Sequence, residues 1–337
     1  MAYQWFIGID VSRQTLDITV LSNGEKKMYE QIPNSDSAIK AFLKKLSAEQ
    51  KILPADCVFC LEHTGIYNAH FLKVMEEKKL PVCLESSVQI KQSGGLQRGK
   101  NDKIDSYRIA LYAYKNREFL TLWQPERSVI SHLRRLSGIR ERLLNAKKQL
   151  TKALKEDKSF ISKSSSAQMN RCCKDSLKAL AEDIKRTEAE IEKVIEQDER
   201  LKELFSFIES VPGVGKITAT EIVINTNEFK RISDPRKYAC YAGVAPFEHS
   251  SGTSVRGKTR TSKKANLKAK SLLHMAALVA ARFSEEIRTY YERKAEEGKN
   301  KMNVLNAVKN KLIHRIFACV NQKRTYDNNY KFSLAES

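Results

Sequence analysis

The chain has 337 residues, with 60 Lys and Arg against 40 Asp and Glu, a formal charge of +20. That length accommodates two domains, or one with a large insertion, around a core that needs no disulfide or metal staple. The positive excess points to a polyanionic partner, nucleic acid first. No apolar run is long enough to cross a bilayer, and the opening MAYQWFIGID lacks a basic leader, so the expectation is no membrane partner and a cytoplasmic place of action, beside the nucleoid when at work. Seven cysteines, an odd number, fit a reduced compartment. Cys57 and Cys60 form a lone CxxC inside the strand-like run CVFCLE, where buried thiols are expected rather than zinc ligands.

The first elements read as strands. WFIGIDV and DITVLS flank a short SRQT connection, and KKMYEQI follows as a third strand. SAIKAFLKKL has apolar residues at helical spacing behind a Ser-Asp-Ser opening. CVFCLE is a buried strand, NAHFLKVMEEKK a helix and PVCLES another strand, with a further helix starting near Asp102. The order βββαβαβ predicts an α/β domain with a mixed sheet over residues 1–125. Over 126–203 the sequence predicts two long helices, probed by HLRRLSGIRERLLNAKKQLTKALKE and SLKALAEDIKRTEAEIEKVIEQ, as an antiparallel coiled-coil arm broken by KSFISKSSSAQMN. Between 97 and 176, 19 basic residues face 8 acidic ones, so the first helix is the more basic. Residues 204–325 predict a mainly helical region, and 326–337 a tail.

Four acids are candidates for one site. Asp10 ends the first strand and Glu62 the fourth; were these strands neighbours, both carboxylates would emerge at one sheet edge. Asp102 and Asp105 are three apart on a helix and so share a face. Converging carboxylates repel and raise one another's pKa, which a divalent cation relieves. Oxygen ligands without His or Cys suit Mg²⁺ or Mn²⁺. Taken singly, each acid also reads as a helix cap or a strand-end residue. Arg98 and Lys100 just ahead of the helix are candidate nucleic-acid contacts.

The blocks FIGIDVS, CLEHTGIY and KNDKIDSYRIA resemble those of the DEDD insertion-sequence transposases, a family similar to the pilin-gene-inverting recombinases. The resemblance implies a ribonuclease H-like (RuvC-like) amino-terminal domain, with Asp10, Glu62, Asp102 and Asp105 as its catalytic, Mg²⁺-binding acids. SYRIA after Asp105 departs from the smaller residues common in the family and leaves the carboxylates in place.

Further along, SVPGVGKITATEIV resembles a helix-hairpin-helix turn, in which Gly213 and Gly215 permit a tight loop offering backbone N–H groups to a phosphate beside Lys216. A plain helix–helix turn is the other reading. The run SSGTSVRGKTRTSKK reads as a mobile loop touching phosphates through Arg256, Lys258, Arg260, Lys263 and Lys264. It also holds four serines that compete as a nucleophile, Ser250, Ser251, Ser254 and Ser262, and residue chemistry alone does not choose among them. YAGVAPFEHSSGTSVRG resembles the family's carboxy-terminal block, and that resemblance selects Ser251, the serine before Gly252, as the residue that attacks DNA to form a phosphoserine link. SKKAN departs from the family where a glycine often precedes the asparagine.

The expected function is therefore a DNA recombinase of a mobile element, using serine transesterification. The family resemblance further implies a noncoding guide RNA, the bridge RNA, pairing with donor and target DNA, and a homo-oligomer, dimer or tetramer. Two rivals remain: a metal-dependent structure-selective nuclease or junction resolvase that uses water and has no need of Ser251, and a non-catalytic nucleic-acid-binding protein in which the acids are caps.

Overall fold

A computed structural model describes residues 3–93, 101–156, 160–251, 255–261 and 265–327. The chain divides into two compact units, Met1–Pro125 and Glu126–Ser337.

In the first unit, strands β1 (Trp5–Val11), β2 (Thr15–Ser22) and β3 (Glu25–Pro33) form a meander. Helix α1 (Asp36–Ala48) starts where the Ser35 hydroxyl accepts from the Ala38 amide. Then come β4 (Cys57–Glu62), α2 (Ala69–Glu77), β5 (Val82–Glu85), a short α3 (Ser87–Ser93) that the sequence reading did not anticipate, and α4 (Asp102–Lys115). The sheet order is β3-β2-β1-β4-β5. β2 pairs antiparallel with both β1 and β3, whereas β1–β4 and β4–β5 are parallel, so only β2 runs against the rest. That order and direction define the ribonuclease H-like sheet.

Side-chain alternation gives the central strands β1 and β4 two buried faces. Ile7, Ile9, Phe59 and Leu61 pack with Phe42 of α1 and Phe71 of α2 on one face. Phe6, Val58 and Cys60 pack with Ile109 and Ala113 of α4 on the other. Cys57 belongs to the first layer and Cys60 to the second, so the CxxC thiols point away from each other.

The close fit of α4 depends on Gly8. A Cβ there would stand 2.2 Å from both the Ala110 amide nitrogen and the Ser106 carbonyl oxygen. The buried Thr19 and Ser106 hydroxyls share a 2.8 Å hydrogen bond at the same contact. Both neighbours of Gly8 are backbone, which cannot swing aside. Gly8→Ala is therefore expected to destabilise this unit by about 2–3 kcal/mol, read by urea unfolding; an unchanged midpoint would show that α4 lifts off the sheet at no cost.

In the second unit, α5 (Ser128–Glu156) and α6 (Lys163–Glu196) form the antiparallel arm. Ile130 and Leu133 near the start of α5 share a core with Ile191 and Ile195 near the end of α6, and Arg140 Nε meets Glu188 at 2.7 Å further along. The polar break is shorter than the sequence suggests. α6 begins inside it, because the Ser162 hydroxyl accepts from the Ser165 amide and starts the helix there.

The chain continues through α7 (Glu199–Glu209), α8 (Lys216–Thr226), α9 (Pro235–Tyr241), a two-stranded antiparallel hairpin of β6 (Pro246–Ser251) and β7 (Val255–Thr261), then α10 (Leu267–Phe283), α11 (Glu285–Glu296) and α12 (Lys301–Asn321). The segment read from sequence as a loop is thus a hairpin over its described residues; Val255, Thr259 and Thr261 supply strand-favouring side-chain types. Phe207, Ile222, Leu273 and Phe317 lie in one core with the base of the arm.

Beyond α8, Asn227, Glu228 and Phe229 all take left-handed backbone angles, with φ of 48°, 55° and 63°. Such a run is strained for residues with a Cβ. It is held by a fully buried Glu228 carboxylate, which pairs with Arg127 at 2.6 Å, Arg200 at 3.0 Å and Lys230 at 3.5 Å. Arg127 also grips Asp198 at 2.7 Å. Removing Arg127 leaves two buried or half-buried carboxylates short of a partner. Arg127→Met is expected to cost about 3 kcal/mol, measured as a shift in thermal unfolding of the second unit; no shift would mean Arg200 and Lys230 suffice for Glu228.

Candidate active site

The parallel pairing of β1 with β4 reaches Ile9 opposite Leu61, so Asp10 and Glu62 follow side by side at the carboxyl ends of the two central strands. Asp102 and Asp105 occupy the first turn of α4, whose amino end is fixed by the Asn101 side chain accepting from the Lys103 amide at 3.0 Å. Because Gly8 lets α4 lie on β1, that first turn arrives at the same strand ends. All four acids line one open pocket of about 620 Å³, together with Thr64, Lys91, Arg108 and Lys115.

The electrostatics follow from this convergence. The Asp10 carboxyl is pushed up to about 6, first by burial, then by the carboxylates of Asp105, Asp102, Asp17 and Glu62. Asp105 is steadied by Arg108 at 2.7 Å. Among the described residues, no three His, Cys, Asp or Glu side chains are gathered tightly enough to enclose one ion as they stand. The donor set nonetheless suits a hard divalent cation: the pocket lining offers four carboxylates and neither His nor Cys. A cation there would offset the burial and the repulsion that together raise the Asp10 carboxyl.

Two acids near this pocket escaped the sequence reading. Asp17 pairs in register with Asp10 across the β1–β2 ladder. It is 2% exposed and accepts from the Tyr29 hydroxyl at 2.5 Å and from Gln31 Nε2 at 3.2 Å. Glu85 lies in register with Glu62. An acid inside the buried strand TLDITVLS was a visible signal for Asp17, once the register of the hairpin is known.

The remaining candidates lie in two places. Ser251 ends β6 opposite Val255, with Ser250 opposite Arg256, and Lys258 and Arg260 follow on β7. Arg98, Lys100, Lys263 and Lys264 lie outside the described residues, as do Ser254 and Ser262. Gly213 has φ of +83°, and a Cβ there would stand 2.3 Å from the Ala276 carbonyl oxygen of α10. The close approach of the α7–α8 turn to α10 thus demands glycine at 213. Gly215 caps α8 in the open, with nothing within 4 Å of a Cβ, and the Lys216 ammonium pairs with Glu192 of α6.

A ribonuclease H-like sheet whose two central strands and first following α4 turn bring Asp, Glu, Asp and Asp to one pocket defines a DEDD-type domain. Residues 7–157, which contain all four acids, match a transposase family model of the DEDD IS110 type. Residues 206–292, which contain the hairpin, match the model described as Transposase IS116/IS110/IS902 family. The chain belongs to this family of insertion-sequence transposases. It is 24% identical to the pilin gene-inverting protein of Moraxella bovis over 332 residues, 96% of this chain and 97% of that one. It is 28% identical to a protein of insertion element IS110 from Streptomyces coelicolor over 153 residues, 45% of this chain and 36% of that one. Among solved structures it is similar to Thermus thermophilus RuvC in complex with a Holliday junction substrate, at 15% identity, a TM-score of 0.28, and coverage of 35% of this chain and 98% of that one. Among the described residues, no helix is long and apolar enough to cross a membrane.

Proposed function

We propose that this transposase cuts and rejoins DNA by serine transesterification, with Ser251 as nucleophile and Asp10, Glu62, Asp102 and Asp105 holding Mg²⁺ or Mn²⁺. The observation that carries the reading is the convergence of four carboxylates on one pocket, with Asp10 raised to about 6 by burial and its acidic neighbours. Such a cluster is costly without a cation to balance it. A divalent cation, when bound, would polarise the scissile phosphate.

The chain's own residues do the rest. The Ser251 hydroxyl oxygen attacks phosphorus as its proton leaves to a base. One P–O bond to the DNA sugar breaks, and the departing sugar oxygen takes up a proton. The protein then carries a phosphoserine diester, and attack by a sugar hydroxyl of another strand releases Ser251 and restores a phosphodiester. Arg256, Lys258 and Arg260 belong to the strand paired with this serine's and would offset phosphate charge. Rejoining, rather than hydrolysis, is favoured by the full-length likeness to a protein named for inverting a gene, because an inversion must reseal what it cuts. A guide RNA from the element would supply sequence through pairing, so the protein would need few base contacts, and a dimer or tetramer would bring both DNA partners together.

The test is a strand-exchange reaction with element ends, a target duplex, RNA from the element's noncoding flank and Mg²⁺. The expected products are joined DNA strands that require the RNA and vanish on chelation. Cut but unjoined ends, formed equally well without RNA, would instead establish the water-using nuclease. Nucleic-acid affinity is expected to fall by orders of magnitude between about 50 and 200 mM salt; a flat response would remove phosphate contacts from the account.

A further inference from the structure

The chain leaves the helical core at Tyr241, runs through the β6–β7 hairpin, and returns at Asn266. These two residues are bonded to each other twice. The Asn266 amide donates to the Tyr241 carbonyl at 2.9 Å, and Asn266 Nδ2 donates to the Tyr241 hydroxyl at 2.8 Å. Asn266 Oδ1 meanwhile accepts from the Ala269 amide at 3.0 Å, capping α10. One side chain thus closes the base of the hairpin and starts the next helix.

The clasp is not isolated. The Tyr241 hydroxyl, having accepted from Asn266, donates to Asn225 Oδ1 at 3.1 Å. Asn225 Nδ2 donates to Glu221 Oε1 at 3.2 Å. The other carboxylate oxygen of Glu221 receives the Ser137 hydroxyl of α5 at 3.2 Å and the Lys268 ammonium of α10 at 2.8 Å. Lys268 also donates to Ser137 at 2.8 Å. The bonds from Asn266 through Tyr241 and Asn225 run toward Glu221, while Lys268 also pairs with Glu141 of α5 at 3.3 Å. Glu221 is 6% exposed and Asn225 3% exposed. A buried carboxylate is costly unless fully bonded, and an apolar side chain would fill the space more cheaply. What the polar version adds is direction. With Glu221 accepting from Asn225 Nδ2, the Asn225 carbonyl must face Tyr241, the tyrosine hydroxyl must donate to it, and Asn266 is left as the only donor of the pair. The orientation of the clasp is therefore set from the core outward, and from the arm helix through Ser137.

We propose that Tyr241 and Asn266 are positioning residues that clasp the base of the Ser251 hairpin, locked through Asn225 and the Glu221–Lys268 pair to helix α5. The functional half of this inference rests on the serine reading above; the structural half does not. A nucleophile misplaced by about 1 Å loses on the order of 10²-fold in rate, so a clasp at the hairpin base acts on chemistry without touching substrate.

Tyr241→Phe keeps the ring and removes the hydroxyl. Asn266→Ser keeps a helix cap and removes the donor that reaches Tyr241. Two readouts are taken on the full chain. Hydrogen exchange without DNA should speed up roughly 5-fold over residues 246–261 in both variants, while α5–α8 exchange as in the wild type. With saturating DNA and RNA, the rate of Ser251–DNA adduct formation should drop by about 10–100-fold, with DNA affinity within about 2-fold of the wild type. Unchanged hairpin exchange overturns the inference whatever the chemistry. Faster exchange with an unchanged adduct rate overturns the positioning role. A wild type that forms no Ser251-dependent adduct overturns the serine reading, and the clasp then stands or falls on exchange alone.

Discussion

Asp10→Asn is expected to make the cation-free protein more stable and the enzyme nearly inactive. The Asp10 carboxyl sits at about 6, against 3.8 when unperturbed, because burial and four neighbouring carboxylates disfavour its charge. The folded pKa lies above the unfolded one, so the favourable protonated state is complete below about pH 4 and is lost as pH rises through about 6. At neutral pH the ionised side chain therefore weighs against folding. Since Asp10 is only partly buried, solvent screening reduces the effect to on the order of 1–2 kcal/mol. The asparagine variant lacks that loss: its advantage over the wild type should grow between about pH 4 and pH 6 and stay level above. DNA cleavage should meanwhile fall by at least about 10²–10³-fold. Opposite signs for stability and activity mark a residue kept for function rather than folding. Chemical unfolding across that pH range without and with Mg²⁺ is the check. In Mg²⁺ the order should shrink or invert, since the wild type offers the cation one more carboxylate than the variant does. An asparagine variant that is less stable throughout, yet still cuts DNA, would return Asp10 to the role of an ordinary strand-end residue.

Ser251→Ala is expected to abolish the covalent protein–DNA link, lowering joined product by at least about 10³-fold, while Ser250→Ala retains most of both. The two serines are adjacent on β6 but hold different register positions, Ser251 opposite Val255 and Ser250 opposite Arg256. They therefore form a pair of single-hydroxyl deletions on adjacent residues of one strand. DNA binding should survive in both variants, because the proposed phosphate contacts are made by cations and not by either hydroxyl. Equal loss in both would point to damage of the hairpin. Equal retention would remove the serine mechanism and leave the four acids acting with water.

The acids at the strand ends were legible because a carboxylate directly after a buried β run is an anomaly visible in one dimension. FIGID and CVFCLE each show it, and parallel pairing of β1 with β4 brings the two together. The i, i+3 pair of Asp102 and Asp105 was legible from helical periodicity alone. What stayed hidden depends on contacts between distant segments. Gly8 looks like any strand glycine until α4 is seen to rest on it. Asp17 becomes part of the pocket's electrostatics only through the register of the β1–β2 hairpin. Gly213 reads from sequence as the glycine of a tight turn, and its packing against the backbone of α10 is visible only in the fold. The start of α6 was misread because SKSSSAQMN is rich in residues that also favour turns, and only the capping geometry of Ser162 settles it. The clasp between Tyr241 and Asn266 is likewise a product of tertiary structure, since 24 residues separate its two halves.

The central claim, that the hairpin serine becomes bonded to DNA under the control of the acidic pocket, is tested most directly by mapping the covalent product. The wild-type protein is reacted with element ends, target DNA, RNA and Mg²⁺, denatured, digested with nuclease and protease, and analysed by mass spectrometry. The account predicts a nucleotide remnant on the peptide containing Ser251, located to that residue, absent after chelation and absent in Asp10→Asn. Cleaved DNA with no modified peptide, or a remnant on any other residue, would contradict it.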